Sequence, residues 1–252
     1  MSEYKKLEEF IYKYLNTDEI IFLRSNCNNI LDEKTLKENI KEFNNFNYKY
    51  YKFNENIQSP YCPFMDFLRN IYIEKYSKKV NAYDFTCLCN VYEMQKKTIA
   101  KFFETGISER KEHFILGEII YEQERFIESI INIIKFITKD IKLNIVLDSI
   151  HFAATSTINL INSIILKNSK HPIKNFTLII YSMENAKIPA YNKENWHELL
   201  TNAEKNDLAL TFMPSPNYDI NTVYHKKLPI SDETISNALF HINNLINMLA
   251  ID

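Results

Sequence analysis

Short apolar segments, separated by long helical stretches, most strongly constrain the fold of this chain. Three are clear buried-strand candidates, at Ile20–Leu23, Leu143–Asp148 and Phe176–Tyr181, and two further β-prone segments lie at Asn47–Phe53 and Thr222–Leu228. Strands that are apolar at nearly every position are buried on both faces, and strands separated by helices form parallel sheets. We therefore predict an α/β fold, with a parallel five-stranded sheet that helices cover on both faces.

The connecting segments show the three- and four-residue apolar spacing of helices. Helices are predicted at Tyr4–Leu15, Glu33–Phe43, from about Phe64, within Asp84–Phe103, from Glu109 onward, near Thr157–Leu166, at Trp196–Glu204 and from Ile230 onward. Those between about residues 59 and 139 form a helical insertion between the second and third strands. We predict one domain over residues 1–252.

Charge and hydropathy limit the partners of the chain. The formal net charge is −2, from 30 basic and 32 acidic residues, so no electrostatic attraction favours nucleic acid or an anionic membrane. No apolar stretch reaches the roughly 18–20 residues that cross a bilayer. The start, MSEYKKLEEFIYKYL, is charged and helically periodic, unlike a signal peptide. We predict a cytoplasmic protein without a membrane or nucleic-acid partner.

The four cysteines do not have the spacing of a metal site. Only Cys87 and Cys89 are close, as C-x-C, and no second pair accompanies them. Free buried thiols in a reducing compartment are the expectation.

Ligands of a parallel α/β sheet bind beyond the carboxyl ends of the strands. The first such loop, SNCNNILDEKTLKEN, ends in Lys34-Thr35 at the head of a predicted helix. A phosphate-binding loop, G-x-x-x-x-G-K-[ST], ends in the same way. Its glycine positions fall on Asn28 and Glu33, and the only two glycines of the chain lie elsewhere. The dipeptide by itself also fits an ordinary helix start.

The second loop follows the strand NIVLD and begins with Asp148, Ser149 and His151. In a nucleotide-hydrolysing site the first acid orients magnesium and a second acid polarises the attacking water. Asp148 suits the first role, but Ser149 is no base at neutral pH. Asp148 alone equally fits a strand-end or helix-cap residue.

The third loop, SMENAKIP, follows the strand Phe176–Tyr181. Ser182 and Asn185 are polar enough to contact a ligand there. Met183 supplies neither charge nor a strong hydrogen bond.

The order of these segments resembles one known family. The pieces are an opening helix and strand in EYKKLEEFIYKYLNTDEIIFLRS, then SPYCPF, RFIESIINIIKFITKD, IVLDSIHFAATS, LIIYSM and WHELL. Together they resemble the ATPase domain of the STAND class of AAA-related P-loop proteins, the type found beside cyclase, LuxR-type or tetratricopeptide segments. The resemblance covers nearly the whole chain and implies a P-loop NTPase-like fold.

The resemblance also implies a nucleotide site. ATP would contact Lys34, Thr35, Asn28, Asp148 and Ser182, and magnesium would be held by Thr35 and Asp148. A helical domain follows in that family, so the resemblance is compatible with an N-terminal part of a longer protein.

This sequence departs from the family pattern at the positions that bind the nucleotide or catalyse its hydrolysis in that family. Both phosphate-loop glycines are replaced, Ser149 stands at the second acid, and Met183 stands at the sensor arginine. Phe152 replaces a tryptophan, and Ala154 replaces the closing acid of the motif. General-base catalysis contributes about 10²–10⁴-fold, so loss of the acid alone predicts a large loss of rate.

Three hypotheses follow. The first is a catalytically degenerate ATPase-like domain that serves as a signalling or assembly scaffold, with no cofactor and with a protein partner or self-assembly. The second is an ATP-binding switch or slow ATPase that uses Lys34, Thr35 and Asp148. The third is an active ATPase with rearranged groups that include His151.

Overall fold

The computed structural model describes residues 17–25, 48–55, 59–107, 116–183 and 186–212. The sequence predictions for the opening helix, for the segment with Asn28, Lys34 and Thr35, for Thr222–Leu228 and for the closing helix lie outside these residues. So does Asn185 of the third loop.

A parallel sheet organises the described residues. Its strands are β1 (Ile20–Ser25), β2 (Tyr48–Lys52), β3 (Leu143–Asp148), β4 (Phe176–Met183) and β5 (Ala209–Phe212), and their order is β2-β3-β4-β1-β5. Each neighbouring pair is parallel. The predicted α/β class with a helix-flanked parallel sheet is confirmed.

Four of the predicted strands, β1 to β4, lie where the sequence placed them. The described sheet also includes β5, which the sequence analysis missed. This strand has only four residues, ALTF, and pairs with β1 alone. So short a segment carries no recognisable periodicity, and its pairing is set by the neighbouring strand.

Helices fill the described connections between the strands. Among the described residues, four lie between β2 and β3: α1 (Phe64–Ile71), α2 (Ala82–Leu88), α3 (Glu93–Thr105) and α4 (Leu116–Ile137). A π-helical turn, Tyr72–Tyr76, continues α1. Helix α5 (Thr155–Lys170) connects β3 to β4, and α6 (Lys193–Lys205) connects β4 to β5. No described helix is long and apolar enough to cross a membrane.

Aromatic side chains hold the four helices between β2 and β3 together. Phe85 lies at their centre and is fully buried. Its ring contacts those of Tyr72, Tyr76, Phe103 and Phe136, at centroid distances between 4.9 and 5.9 Å. Such pairs add to the stabilisation that comes from burying apolar area. Large apolar side chains at helical spacing thus form a compact helical layer beside the sheet.

Alternation along the strands gives the sheet two distinct faces. One face carries Phe22, Leu147 and Ile180, which join the main hydrophobic core with the described helices. Phe22 contacts Trp196 of α6 at a ring distance of 6.2 Å. The other face carries Val146 and Ile179, which are buried as well. Burial on both faces explains why β3 and β4 are mostly apolar, whereas the half-buried β2 carries two lysines.

The strand order changes direction at β1. Strands β2, β3 and β4 are neighbours in chain order, whereas β1 lies between β4 and β5. Ligands of open α/β sheets bind beyond the carboxyl ends of the strands near such a switch. The carboxyl ends of β3, β4 and β1 are therefore where a site is expected.

Candidate functional site

A cleft of about 1030 Å³ opens beyond the carboxyl ends of β3 and β4. Its walls come from the turn after β3, the start of α5, and the segment between β4 and α6. The lining residues are Glu55, His151, Phe152, Ala154, Thr155, Met183, Ala186, Lys187, Ile188, Pro189, Ala190, Tyr191 and Lys193. Its position is the one that the topology predicts for a ligand.

Asp148 ends β3 with its carboxylate buried in a set of donors from the same chain. The Tyr50 hydroxyl donates to Oδ2 at 2.8 Å, and the Ser149 hydroxyl donates to Oδ1 at 2.9 Å. The Lys52 ammonium lies 3.8 Å from Oδ2. Lys52 is the register partner of Asp148 across the β2–β3 pair, which places both side chains on one face of the sheet. Both carboxylate oxygens thus accept a hydrogen bond from a neighbouring side chain.

The electrostatics of Asp148 combine opposing effects. Burial raises the pKa of the carboxyl group, while the hydrogen bonds from Tyr50 and Ser149 and the charge of Lys52 act against that rise. A buried carboxylate needs such donors to stay charged. The hydroxyl and ammonium groups around Asp148 meet this need within the protein.

Ser149 stands where the resemblance implies a second acid. Its backbone is left-handed, with φ 58° and ψ 41°, and its hydroxyl is turned back onto Asp148. This residue begins the 3₁₀ turn Ile150–Phe152, which redirects the chain after β3. In this position Ser149 supports Asp148 rather than presenting a base.

The two described residues of the predicted nucleotide site lie on opposite faces of the sheet. Leu147 pairs with Ile180 across β3 and β4. Leu147 and Ile180 therefore lie on the same face of the sheet. Asp148 is the next residue after Leu147, so its side chain lies on the opposite face. Ser182 is two residues after Ile180, so its side chain lies on the face of Leu147 and Ile180. The sheet therefore separates the Asp148 and Ser182 side chains.

His151 connects the turn after β3 to the end of β4. Its ring is 1 % exposed, and its Nδ1 lies 3.4 Å from the hydroxyl of Ser182. The Ser182 hydroxyl also donates to the carbonyl oxygen of Met183 at 3.1 Å. With the Ser182 proton directed at the Met183 carbonyl oxygen, Nδ1 of the neutral ring is the nitrogen that donates to Ser182. The other nitrogen, Nε2, is then an acceptor at the floor of the cleft.

Burial keeps the His151 ring neutral. It lowers the pKa of the imidazole to about 4, because the protonated ring would lose its hydration without gaining a counter-ion. The ring also packs on Phe152, with a centroid distance of 4.2 Å. At neutral pH the residue is thus a fixed, uncharged hydrogen-bonding group.

Asn192 joins the two helices that border the cleft. Its amide donates to the carbonyl oxygen of Ala153 at 2.8 Å, and its Oδ1 accepts a hydrogen bond from the hydroxyl of Thr155. Asn192 is completely buried and precedes α6, while Thr155 begins α5. The first turns of both helices are therefore held next to each other at the cleft.

Several of these residues were not singled out by sequence reasoning. Tyr50 and Lys52 were read only as parts of a β-prone segment, and Asn192 as part of a loop. The alternation of Tyr50 and Lys52 on β2 was a usable signal, since it puts both on one face. Their pairing with Asp148, almost a hundred positions away, was not visible in the sequence.

The described residues offer few ligands for a metal ion. No group of three or more His, Cys, Asp or Glu side chains in the described ranges could hold one. Asp148 stands without a second carboxylate in its hydrogen-bonded set. Lys34, Thr35 and Asn28, which the resemblance implies for ATP and magnesium, lie outside the described ranges.

Comparison with known proteins returns no relative. No protein-family model, no curated protein and no solved structure matches this chain. The function must therefore be argued from the residues and their geometry.

Proposed function

We propose that this chain is a catalytically degenerate, AAA-like ATPase domain that acts as a signalling or assembly scaffold. The proposal combines the sequence resemblance to STAND-class P-loop proteins with the surroundings of Asp148.

The topology supports the family part of the proposal. The sheet is parallel throughout, with β1 between β4 and β5 and helices in its described connections, which agrees with the kind of fold that the resemblance implies. The acid-bearing strand β3 lies next to β4, so Asp148 ends the strand where that family carries its magnesium-orienting acid. A similar fold does not establish a similar activity. The proposal that the domain does not hydrolyse ATP therefore depends on the surroundings of Asp148.

The observation that carries the proposal is the hydrogen bonding of Asp148. Both of its oxygens accept hydrogen bonds, from Tyr50 and from Ser149, and Lys52 supplies a nearby positive charge. A metal-orienting carboxylate needs oxygen lone pairs directed at the ion or its waters. In this protein, side-chain donors of the chain use one lone pair of each Asp148 oxygen. A serine, Ser149, stands where the resemblance implies the water-activating acid. The carboxylate then stabilises the pairing of β2 with β3 and takes no part in hydrolysis.

Exposed apolar side chains support a scaffold role. Leu88, Met94, Ile120 and Tyr121, all on the helices between β2 and β3, are between 54 % and 66 % exposed. Exposed apolar surface marks protein-interaction sites when it forms a patch. The helices between β2 and β3 are therefore the part of the molecule that we assign to contact with a protein partner or a second copy.

Calorimetric titration with Mg-ATP, together with a phosphate-release assay, tests the catalytic part. We expect no saturable binding up to millimolar nucleotide and no turnover above background, in the wild type and in Asp148→Asn alike. Micromolar binding that Lys34→Ala abolishes would instead establish a nucleotide switch. Turnover that Asp148→Asn removes would establish an ATPase.

Light scattering and affinity capture with the whole protein test the scaffold part. Leu88→Glu and Met94→Glu should disrupt self-association or partner capture, because each places a charge in an apolar contact. Lys97→Glu, on the same helix as Met94 and also exposed, is the matched control and should preserve the interaction. A protein that stays monomeric at every concentration and retains no partner would contradict this role.

A further inference from the structure

We propose that the cleft beyond β3 and β4 binds a small organic anion, with an apolar body, one anionic group and one hydrogen-bond donor. The proposal is independent of whether the chain binds ATP. It depends on the walls, floor and rim of the cleft.

The walls suit an apolar body of the size of one or two rings. Phe152, Met183, Ile188 and Pro189 line the cleft and are half-buried, so part of each side chain is open to an occupant. A volume of about 1030 Å³ lies at the upper end of small-molecule sites, which hold roughly 300–1,000 Å³. Such sites are mostly apolar and carry a few fixed polar groups.

The floor provides one fixed polar group. His151 is almost completely buried yet lines the cleft, and Nδ1 is held by Ser182. Among the described residues, no side chain or backbone group is hydrogen-bonded to its Nε2. With the proton on Nδ1, Nε2 is an acceptor that an occupant of the cleft can reach. An N–H or O–H group on the ligand would satisfy it.

The rim favours a negative charge. Ala154 is the N-cap of α5, Thr155 is its first residue, Lys193 begins α6, and all three line the cleft. Helix α5 has no side-chain hydrogen bond at its N-cap, so its first N–H groups can face an anion, whereas the N–H of Lys193 already donates to the carbonyl oxygen of Ala190.

Two exposed lysines, Lys187 and Lys193, add positive charge at the same rim, and Glu55 opposes them with one negative charge. The lysines outnumber the glutamate, and the two helix N-termini add partial positive charge. An anionic group at the rim and a donor near Nε2 would hold the two ends of one ligand.

A pair of dyes matches this chemistry and tests it. 8-Anilinonaphthalene-1-sulfonate has an aromatic body, one N–H donor and one sulfonate, and N-phenyl-1-naphthylamine is the same body and donor without the charge. We expect the sulfonate dye to bind the whole chain with 1:1 stoichiometry and more tightly than the neutral dye. Fluorescence titration measures both affinities.

Reversing the charge of the rim lysines measures how much the anionic group of the ligand contributes to its affinity. The double variant Lys187→Glu/Lys193→Glu should weaken the sulfonate dye about 10-fold and the neutral dye by less than about 2-fold, as expected for exposed charge pairs. The control Lys170→Glu/Lys174→Glu changes the same charge near the other end of α5 and should leave both affinities unchanged.

Two further variants test the floor and the volume. His151→Phe keeps a ring but removes the acceptor, and should weaken both dyes by about 3- to 10-fold, as for the loss of one hydrogen bond. Ala154→Trp should narrow the cleft at the head of α5 and weaken the binding of both dyes. If that variant does not fold, the exposed lysine pair still decides the question. Unchanged affinity of the sulfonate dye in the Lys187/Lys193 variant, or an equal loss in the control, would overturn the proposal.

Discussion

Replacing His151 with glutamine should abolish a specific loss of stability at mildly acidic pH. The imidazole is buried in the folded protein, and burial lowers its pKa to about 4, whereas the unfolded chain titrates near its ordinary value of 6.5. Between these two values the unfolded state binds a proton that the folded state does not. The free energy of unfolding must therefore decrease as the pH falls from 6.5 towards 4, and level off below that.

The size of the effect follows from the two pKa values. At a pH well below both pKa values, the free energy of unfolding would be lower by about 3.4 kcal/mol, because each pKa unit of difference corresponds to about 1.36 kcal/mol. At about pH 5 the unfolded imidazole is almost fully protonated and the folded one is mostly neutral, which gives about 2 kcal/mol. An effect of this size exceeds the uncertainty of ordinary denaturation measurements.

Urea unfolding at several pH values, from about 7 down to about 5, measures the difference. Carboxyl groups also titrate in this range, and among them Asp148 has a raised pKa. Subtracting the curve of His151→Gln from that of the wild type cancels their contributions, because both proteins contain them. The variant will be less stable at every pH, since the contact with Ser182 is lost, and only the slope is diagnostic.

His197→Gln is the matched control. His197 lies exposed on α6, so its replacement makes the same chemical change outside the buried site. If the wild type and His151→Gln lose stability in parallel as the pH falls, the buried neutral state of His151 is refuted.

Three further predictions concern stability at neutral pH and can be checked by the same urea titrations. Tyr50→Phe should cost about 1.5–3 kcal/mol, because it removes a hydrogen bond to the buried Asp148 carboxylate. Tyr83→Phe removes a tyrosine–carboxylate hydrogen bond at the exposed surface and should cost clearly less. An equal loss in both would contradict the role of burial. Asn192→Ala should cost about 1–3 kcal/mol, since it leaves the buried carbonyl of Ala153 without its partner and also removes the acceptor of the partly buried Thr155 hydroxyl. A cost below about 0.5 kcal/mol would contradict this bridging role. Phe85→Ala should cost about 3–5 kcal/mol from the cavity at the centre of the helical layer, and a well-folded variant with a smaller loss would show that the layer can collapse around it.

Much of the sheet could be predicted from local sequence. The run from Leu143 to Asp148 matches β3 at both ends, and Ile20–Leu23 falls within β1. These runs are recognisable because burial on both faces demands apolar side chains at every position. The strand Ala209–Phe212 has no such length, and its pairing with β1 alone defines it.

The candidate site was only partly predictable. The rule that ligands lie at the carboxyl ends of parallel strands led to the loops that hold Asp148 and Ser182. It did not reveal that these side chains point to opposite faces of the sheet. It also did not reveal His151 as the group that reaches back to Ser182, because a 3₁₀ turn with a left-handed residue at its start produces that contact.

The sequence by itself determined the α/β class, the parallel direction of the strands and the edge of the sheet where chemistry is expected. These properties depend on local periodicity and on burial, both of which are written into short segments. The tertiary structure alone decided the strand order, the donors that surround Asp148 and the cleft with His151 at its floor. Tyr50 and Asp148 are 98 positions apart, and Asn192 and Ala153 are 39 apart. Contacts of this range arise only when the chain has closed its loops, so no local pattern encodes them.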